Sequence, residues 1–282
     1  MRVKVKSLRE MLKEIFGEDI PADIPRKYKI YGDIAVVKIP SKYRHLKKEI
    51  GDLILKNDPR IRSVVNIEKI HGTFREPIAE VIAGDPNTVT TIIENSCRFK
   101  LDVAKLMFCL GNQHERVRLA NIVFSDEVVV DMFAGVGQFS IPIAVHCKPE
   151  RIFAIEINPT AFRFLVENIF INHVEEVIFP ILGNCREVIP AFLKGRADRI
   201  IMGFIEYTNR YLDAALVALR DKGGIIHFHN VYNSEDAIEM AISDIKDAAE
   251  RSRRRLVKVI HRRIVKEYGP KLVHVVIDAK IK

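Results

Sequence analysis

No apolar run in this 282-residue chain approaches the roughly 18 residues needed to cross a bilayer, so a membrane-spanning protein is not expected. The opening residues, Met1-Arg2-Val3-Lys4-Val5-Lys6, lack both the apolar stretch and the small-residue cleavage site of a secretory signal, which makes the cytoplasm the expected compartment. Cysteine is scarce. Cys97, Cys109, Cys147 and Cys185 are too widely spaced for a Cys-x-x-Cys metal or redox motif, and in a cytosolic chain they are expected as thiols packed like small apolar groups. No metal is therefore expected, and neither an internal repeat nor a low-complexity segment is evident.

What the chain does contain is enough apolar material, 48%, to bury a core, and a length suited to one large or two modest domains. The formal charge is +8, and its placement says more than its size. Arg251, Arg253, Arg254, Arg255, Lys258, Arg262, Arg263 and Lys266 fall in one segment with no acid between them, and Lys42, Arg44, Lys47 and Lys48 form a second run. A basic run is often no more than a solvated face. Two separate runs point instead to a nucleic acid, with salt-dependent binding as the consequence.

Residues 7–18 carry Leu8, Met11, Leu12, Ile15 and Phe16 at helical spacing. A strand is expected over 34–39, stopped by Pro40, then a helix capped by Ser41 and running to Lys56. Short strands follow at 64–67 and 81–83, and another at 89–94 after a Gly84-Asp85-Pro86-Asn87 turn. Together these form a small α+β domain over residues 1–95. A helix at 114–121 opens the second domain, residues 96–282. From there strands at 127–131, 151–156, 177–182, 197–203 and 223–229 alternate with helices, the mark of a mostly parallel sheet. Strands at 256–262 and 272–279 flank Tyr268-Gly269-Pro270 and suit an antiparallel hairpin.

The most informative segment is Val128-Val129-Val130-Asp131-Met132-Phe133-Ala134-Gly135-Val136-Gly137. A strand ends in an acid, a Gly-x-Gly turn opens into a helix-like stretch at 138–145, and a second strand ends at Glu156. Glycines allow close approach of the backbone to a ligand, a helix start offers unpaired N–H groups, and a strand-end carboxylate can accept both hydrogen bonds of a ribose diol. The position of a third glycine is taken by Ser140, which weakens a dinucleotide reading. Asp131 just before the turn suits the cationic ammonium end of S-adenosylmethionine. Asn184, after the third strand of this domain, can read an adenine edge or serve as a turn residue.

Four segments carry a resemblance to known families: Leu101-Asp102-Val103-Ala104-Lys105-Leu106-Met107-Phe108, Glu115-Arg116-Val117-Arg118, the Asp131 glycine turn, and Ala197-Asp198-Arg199-Ile200-Ile201-Met202-Gly203-Phe204. They resemble the tRNA guanine-37 N1-methyltransferases and, related to these, the tRNA wybutosine-synthesising protein 2 family of aminocarboxypropyl transferases. The methyltransferases carry Asn-Leu-Pro where this chain has Met202-Gly203-Phe204, which looks like the Met-Gly-Tyr of the wybutosine enzymes; Ile225-Ile226-His227-Phe228-His229-Asn230 resembles that family's His-Tyr-His strand. The resemblance implies a class I methyltransferase-like, Rossmann-type α/β fold with a small N-terminal α+β domain that binds RNA. It implies S-adenosylmethionine as cofactor, with contacts from Cys109, Arg116, Asp131, Ala134, Gly135, Gly137, Glu156 and Asn184. Cys109-Leu110 replaces the family's Ser-Pro, and Gly183-Asn184 its Asp-Asn.

The implied reaction moves the 3-amino-3-carboxypropyl group to a tricyclic wyosine-type base, 4-demethylwyosine, at position 37 of tRNA, releasing methylthioadenosine. N1-methylation of guanine 37 is the alternative. Arg116 is expected to hold the amino-acid arm, Glu156 and Asn184 the adenosine half, and the basic segments the anticodon arm, in a monomer. His227 and His229, two apart on a strand, share a face, and each is a candidate base or a structural histidine.

Overall fold

A computed structural model of the chain describes residues 6–282. The N-terminal stretch read above for a signal, residues 1–5, lies outside them. Internal contacts divide the chain into two units, Met1–Phe108 and Cys109–Lys282.

In the first unit α1 (Leu8–Phe16) begins at a capping box: the Ser7 hydroxyl accepts from the Glu10 N–H, and the Glu10 carboxylate accepts from the Ser7 N–H. It buries Leu8, Met11 and Leu12. Then come β1 (Lys29–Tyr31), β2 (Ile34–Val37), α2 (Lys47–Asn57), β3 (Ser63–His71) and β4 (Glu76–Gly84). These strands form one sheet in the order β1-β2-β3-β4, in which only β2 and β3 run parallel. Ser41 does not cap α2. It opens a 3-10 turn, Ser41–Leu46, entered from Pro40, and α2 starts only at Lys47. The strands expected at 64–67 and 81–83 are the apolar core of a longer hairpin whose far end, with Glu68, Lys69, Glu76 and Glu80, carries no burial signal. A second hairpin pairs β5 (Val89–Glu94) with β6 (Cys97–Asp102). That pairing joins 97–102 to 89–94 across the expected boundary at 95, and the contact division falls at Phe108.

The second unit contains α3 (Gln113–Leu119), β7 (Val128–Asp131), α4 (Ser140–His146), β8 (Arg151–Glu156), α5 (Pro159–Ile171), β9 (Ile178–Leu182) and α6 (Cys185–Val188). It continues through β10 (Arg199–Met202), α7 (Leu212–Ala218), β11 (Gly224–Asn233), α8 (Ala237–Arg251), β12 (Leu256–Gly269) and β13 (Leu272–Ile281). The sheet order is β12-β13-β11-β10-β7-β8-β9. β9, β8, β7, β10 and β11 are parallel, and the β12–β13 hairpin is added antiparallel, as expected.

Chain order reverses between β7 and β10, so the crevice where such sheets bind ligands lies outside their carboxyl ends. Strand alternation sorts the side chains. Val130, Ile200, Ile226 and Phe228 pack with Ala215 and Leu216 of α7 and Ala241 and Ile245 of α8. Asp131, His227 and His229 point to the opposite face, where Ser140 bonds Asp131, Phe139 packs on His229, and Asp278, itself held by Arg118, bonds His227.

Candidate cofactor site

The glycine turn is shaped by two residues with left-handed backbones, and they serve different ends. A Cβ on Gly137 (φ 93°) would stand 2.5 Å from Ile141 and 3.1 Å from Leu165, so glycine here permits tight packing beneath the loop. Gly135 (φ 57°) has only the Gln138 side chain near, 3.5 Å from a Cβ. Its N–H donates to Glu156 Oε2 at 2.7 Å, while Glu156 Oε1 accepts from the Asn158 N–H at 2.8 Å. A carboxylate offers about four lone-pair sites, so these two bonds fix Glu156 without exhausting it. Burial pushes the Glu156 pKa up against those backbone hydrogen bonds. Ala134 is buried, its N–H donating to the Ile155 carbonyl at 2.9 Å, which ties the turn to β8.

Other expected site residues join the turn through one string of bonds. The Arg116 Nη1 donates to the Cys109 carbonyl at 2.8 Å, and the Cys109 N–H donates to Gln138 Oε1 at 3.0 Å. Gln138 lies directly after the Gly-x-Gly. Lys266 Nζ stands 3.3 Å from Cys109 Sγ, bringing a cation from β12 to the same place. On the other side, the Gly183 N–H donates to the Glu156 carbonyl at 2.9 Å, which sets Asn184 beside the end of β8.

Three tasks differ from those expected. Asp131 is 0% exposed, so it cannot touch an ammonium group. Its Oδ2 accepts from the Ser140 hydroxyl at 2.7 Å and its Oδ1 from the Phe133 N–H at 3.3 Å, pinning the turn to α4. Burial raises its pKa to about 6 in spite of those bonds, with the Glu156 charge adding to the rise. Arg116 is likewise buried and positions Cys109 rather than reaching outward. Asn184 caps α6, its Oδ1 accepting from the Arg186 N–H at 3.0 Å, and its Nδ2 approaches Glu187 at 3.5 Å.

The donor set fits a nucleoside. A strand-end carboxylate stands over an open glycine turn, and the exposed apolar side chains of Ile157 and Leu182 follow or pair with it at the same sheet edge. Two carboxylates with no bonded cation among the described residues, Asp131 and Glu156, make that edge negative and favour a cationic ligand.

The histidines are settled by their partners. His227 is fully buried between Arg199 Nη1 at its Nε2 and Asp278 Oδ1 at its Nδ1, both at 2.7 Å. A guanidinium only donates, so Nε2 accepts and the Nδ1–H donates to Asp278. The ring is neutral and structural. His229 Nδ1 meets His274 Nε2 at 3.2 Å, also in full burial.

A model of the TRM5/TYW2 methyltransferase domain matches residues 90–259, and one of the TYW2 N-terminal domain matches residues 8–88. The chain belongs to the TRM5/TYW2 family. It is 40% identical to a Methanocaldococcus jannaschii tRNA(Phe) (4-demethylwyosine(37)-C(7)) aminocarboxypropyltransferase, over 91% of this chain and 98% of that one. It is 36% identical to a Pyrococcus abyssi tRNA (guanine(37)-N(1))-methyltransferase Trm5b, over 92% and 76%. Among solved structures, Pyrococcus horikoshii TYW2 in complex with MeSAdo superposes with a TM-score of 0.81 at 31% identity, covering 97% of this chain and 98% of that one.

Within the TRM5/TYW2 fold, the sequence alone did not single out Gln138, Lys266 or the aromatic residues Phe133 and Phe139. Gln138 had a usable signal in its place after the glycines. Lys266 had none, because it stands in a basic run that reads as surface. Arg251 pairs with Asp213, Arg254 donates to the Arg220 and Leu219 carbonyls, and Arg263 pairs with Glu115. Besides Arg251, the exposed members of that run are Arg253, Arg255, Lys258 and Arg262. In the first unit Lys42, Lys47 and Lys48 pair with Asp23, Glu68, Glu80 and Asp52, which offsets much of the other basic run. No helix among the described residues is long and apolar enough to cross a membrane.

Proposed function

We propose that the chain transfers the 3-amino-3-carboxypropyl group of S-adenosylmethionine to the 4-demethylwyosine base at position 37 of tRNA. The observation that carries this choice is Met202-Gly203-Phe204 at the end of β10. Met202 is 0% exposed, an apolar side chain where the N1-methyltransferases hold an amide. A Cβ on Gly203 would stand 2.6 Å from the Phe139 ring, so the leucine of Asn-Leu-Pro would require that ring to move. The polar grip that suits guanine is thus missing, while the rest of the nucleoside site is kept.

When bound, the sulfonium supplies an activated carbon and methylthioadenosine as leaving group. The residues of the chain bind and orient. Glu156 accepts from the ribose hydroxyls with the lone pairs its backbone bonds leave, and Gly135 lets the backbone come close. Asn184 presents Nδ2 to the adenine edge while its Oδ1 caps α6. Ala134 and Gly137 shape the turn, Asp131 holds it and adds negative charge opposite a cationic ligand, and Arg116 fixes Cys109 against Gln138. The N-terminal domain and the exposed Arg253, Arg255, Lys258 and Arg262 would hold the anticodon arm, and one copy of the chain suffices.

The test uses S-adenosylmethionine labelled separately in its methyl and carboxyl carbons, with tRNA carrying either 4-demethylwyosine or guanosine at position 37. Carboxyl label is expected in the tricyclic tRNA alone. Methyl label in guanosine tRNA would establish the N1-methyltransferase alternative instead.

A further inference from the structure

The carboxyl ends of β7 and β10 carry an aromatic group that holding the cofactor does not use. Phe204 stacks on Phe133 with centroids 5.2 Å apart and planes at 27°, and Tyr211 sets its edge 5.0 Å from Phe133. This joins the segment after β10 to the glycine turn. Arg186 lies over Tyr211 at 4.3 Å and donates to the Arg210 carbonyl at 2.7 Å. Arg210 in turn places its guanidinium 4.5 Å from the centroid of Tyr207.

Tyr207 differs from the rest. It is 64% exposed, and its backbone is left-handed (φ 58°, ψ 29°), which is costly for a bulky side chain. Its neighbours hold it there. Thr208 is fully buried, its N–H donating to Asn230 Oδ1 at 3.3 Å and its hydroxyl to the Phe204 carbonyl at 2.7 Å. Glu206 accepts from the Tyr268 hydroxyl at 2.6 Å. Anchored on both sides, the loop turns one flat ring outward, with the Arg210 guanidinium on that ring and Arg186 bonded to the Arg210 backbone beside it.

We infer that Tyr207, backed by Arg210, is a stacking shelf for an extruded base of the tRNA. The inference rests on the proposed function and extends it from the cofactor to recognition of the substrate base. A base presents a flat π-face to the ring, and its flanking phosphates suit Arg186 and Arg210. A tricyclic base covers more of the ring than guanine does, so the shelf favours the modified tRNA.

The full chain with Tyr207→Ala and Tyr207→Phe tests this against tRNA bearing 4-demethylwyosine or guanosine at position 37. Y207A is expected to raise KM and Kd for the tricyclic tRNA about 5- to 100-fold, the range of base–aromatic stacking. The effect on guanosine tRNA is smaller, Y207F stays near wild type, and calorimetric S-adenosylmethionine affinity is unchanged. Equal binding of tricyclic tRNA by Y207A and wild type, with cofactor binding intact, would overturn the shelf. So would a Y207F loss as deep as that of Y207A, since the ring face would then not be what matters. Should wild type transfer no carboxyl label to any tRNA, the proposed reaction falls. The shelf is still decided by the Kd values, a weaker Y207A supporting it and an unchanged one removing it.

Discussion

Two aspartates on the same face of one sheet, Asp131 at the end of β7 and Asp278 on β13, are both buried, yet their pKa values are pushed in opposite directions. Asp131 is held by the Ser140 hydroxyl and by backbone N–H groups, and burial lifts its pKa to about 6. Asp278 is also penalised by burial, but hydrogen bonds from His227 and from Arg118, at 2.6 and 3.1 Å, hold its carboxyl well below the usual range. The network continues through Arg199 to Glu127 and through Arg118 to Glu115. One side of the sheet thus neutralises itself from within. On the glycine side, Asp131 and Glu156 lack a bonded cation among the described residues, which suits a ligand that brings positive charge of its own.

Removing Asp278 is expected to have the largest effect. Asp278→Ala takes the acceptor from the buried His227 Nδ1–H and leaves the half-buried Arg118 with Glu115 alone, a loss of about 3 kcal/mol, measured by urea unfolding at pH 7.5. Asp131→Asn keeps an acceptor for Ser140 and removes a charge that burial disfavours. A carboxyl with a raised pKa contributes its stability below its ordinary value of 3.8 and loses it as pH rises through about 6. At pH 7.5, D131N should therefore be no less stable than wild type, while binding S-adenosylmethionine more weakly. Equal destabilisation by D131N and D278A would erase the contrast.

The histidine pair acts with the opposite sign. Burial lowers the His274 pKa from 6.5 to about 4, with the Lys266 charge adding to the shift. Its stabilising contribution is complete above pH 6.5 and is lost as pH falls toward 4, amounting to about 3 kcal/mol. His229, pushed well below its ordinary value by burial and by His274, adds in the same direction. Asp131 pulls the other way over pH 4–6, so the wild-type slope is a difference of the two. His274→Gln should flatten the pH dependence of unfolding between 4.5 and 7, and D131N should steepen it. A slope that H274Q leaves unchanged would remove the pair from the account.

At the cofactor edge the expected losses are in binding rather than folding. Glu156→Gln replaces charge-assisted hydrogen bonds, each worth about 1.5–3 kcal/mol, and should weaken S-adenosylmethionine binding about 10- to 100-fold in calorimetry. Adenosine should lose affinity in parallel because it shares the ribose. Undiminished adenosine binding by E156Q would displace the ribose from this carboxylate.

The glycine edge was legible because its chemistry is local in sequence. A β-branched run, an acid, two glycines and a carboxylate about twenty residues later mark strand, turn and second strand end without knowledge of the partners. The parallel order and terminal hairpin were legible for the same reason, from apolar runs bounded by turns. The His227–Asp278–Arg118–Glu115 network was not, since His227 and Asp278 meet 51 positions apart and Arg118 and Asp278 160 apart. Nor could the sequence tell that Asp131 and Arg116 would be enclosed, because burial of a charge depends on what packs over it. Lys266 shows the converse: in a surface-like basic run, strand pairing opposite His274 turns it toward Cys109.

Asn184 carries the smallest effect and the sharpest division between holding the fold and holding the ligand. Its Oδ1 caps α6, a helix of only four residues, and its Nδ2 is the group assigned to adenine. Asn184→Ala removes both and should cost about 1 kcal/mol of stability together with some cofactor affinity. Asn184→Ser separates them, because a serine hydroxyl caps about as well as an asparagine amide but cannot extend Nδ2 to a base edge. N184S should therefore keep its unfolding midpoint and weaken S-adenosylmethionine binding by about 2- to 10-fold, the worth of one neutral hydrogen bond. Wild-type affinity in N184S would confine Asn184 to capping and leave adenine to the apolar pair Ile157 and Leu182.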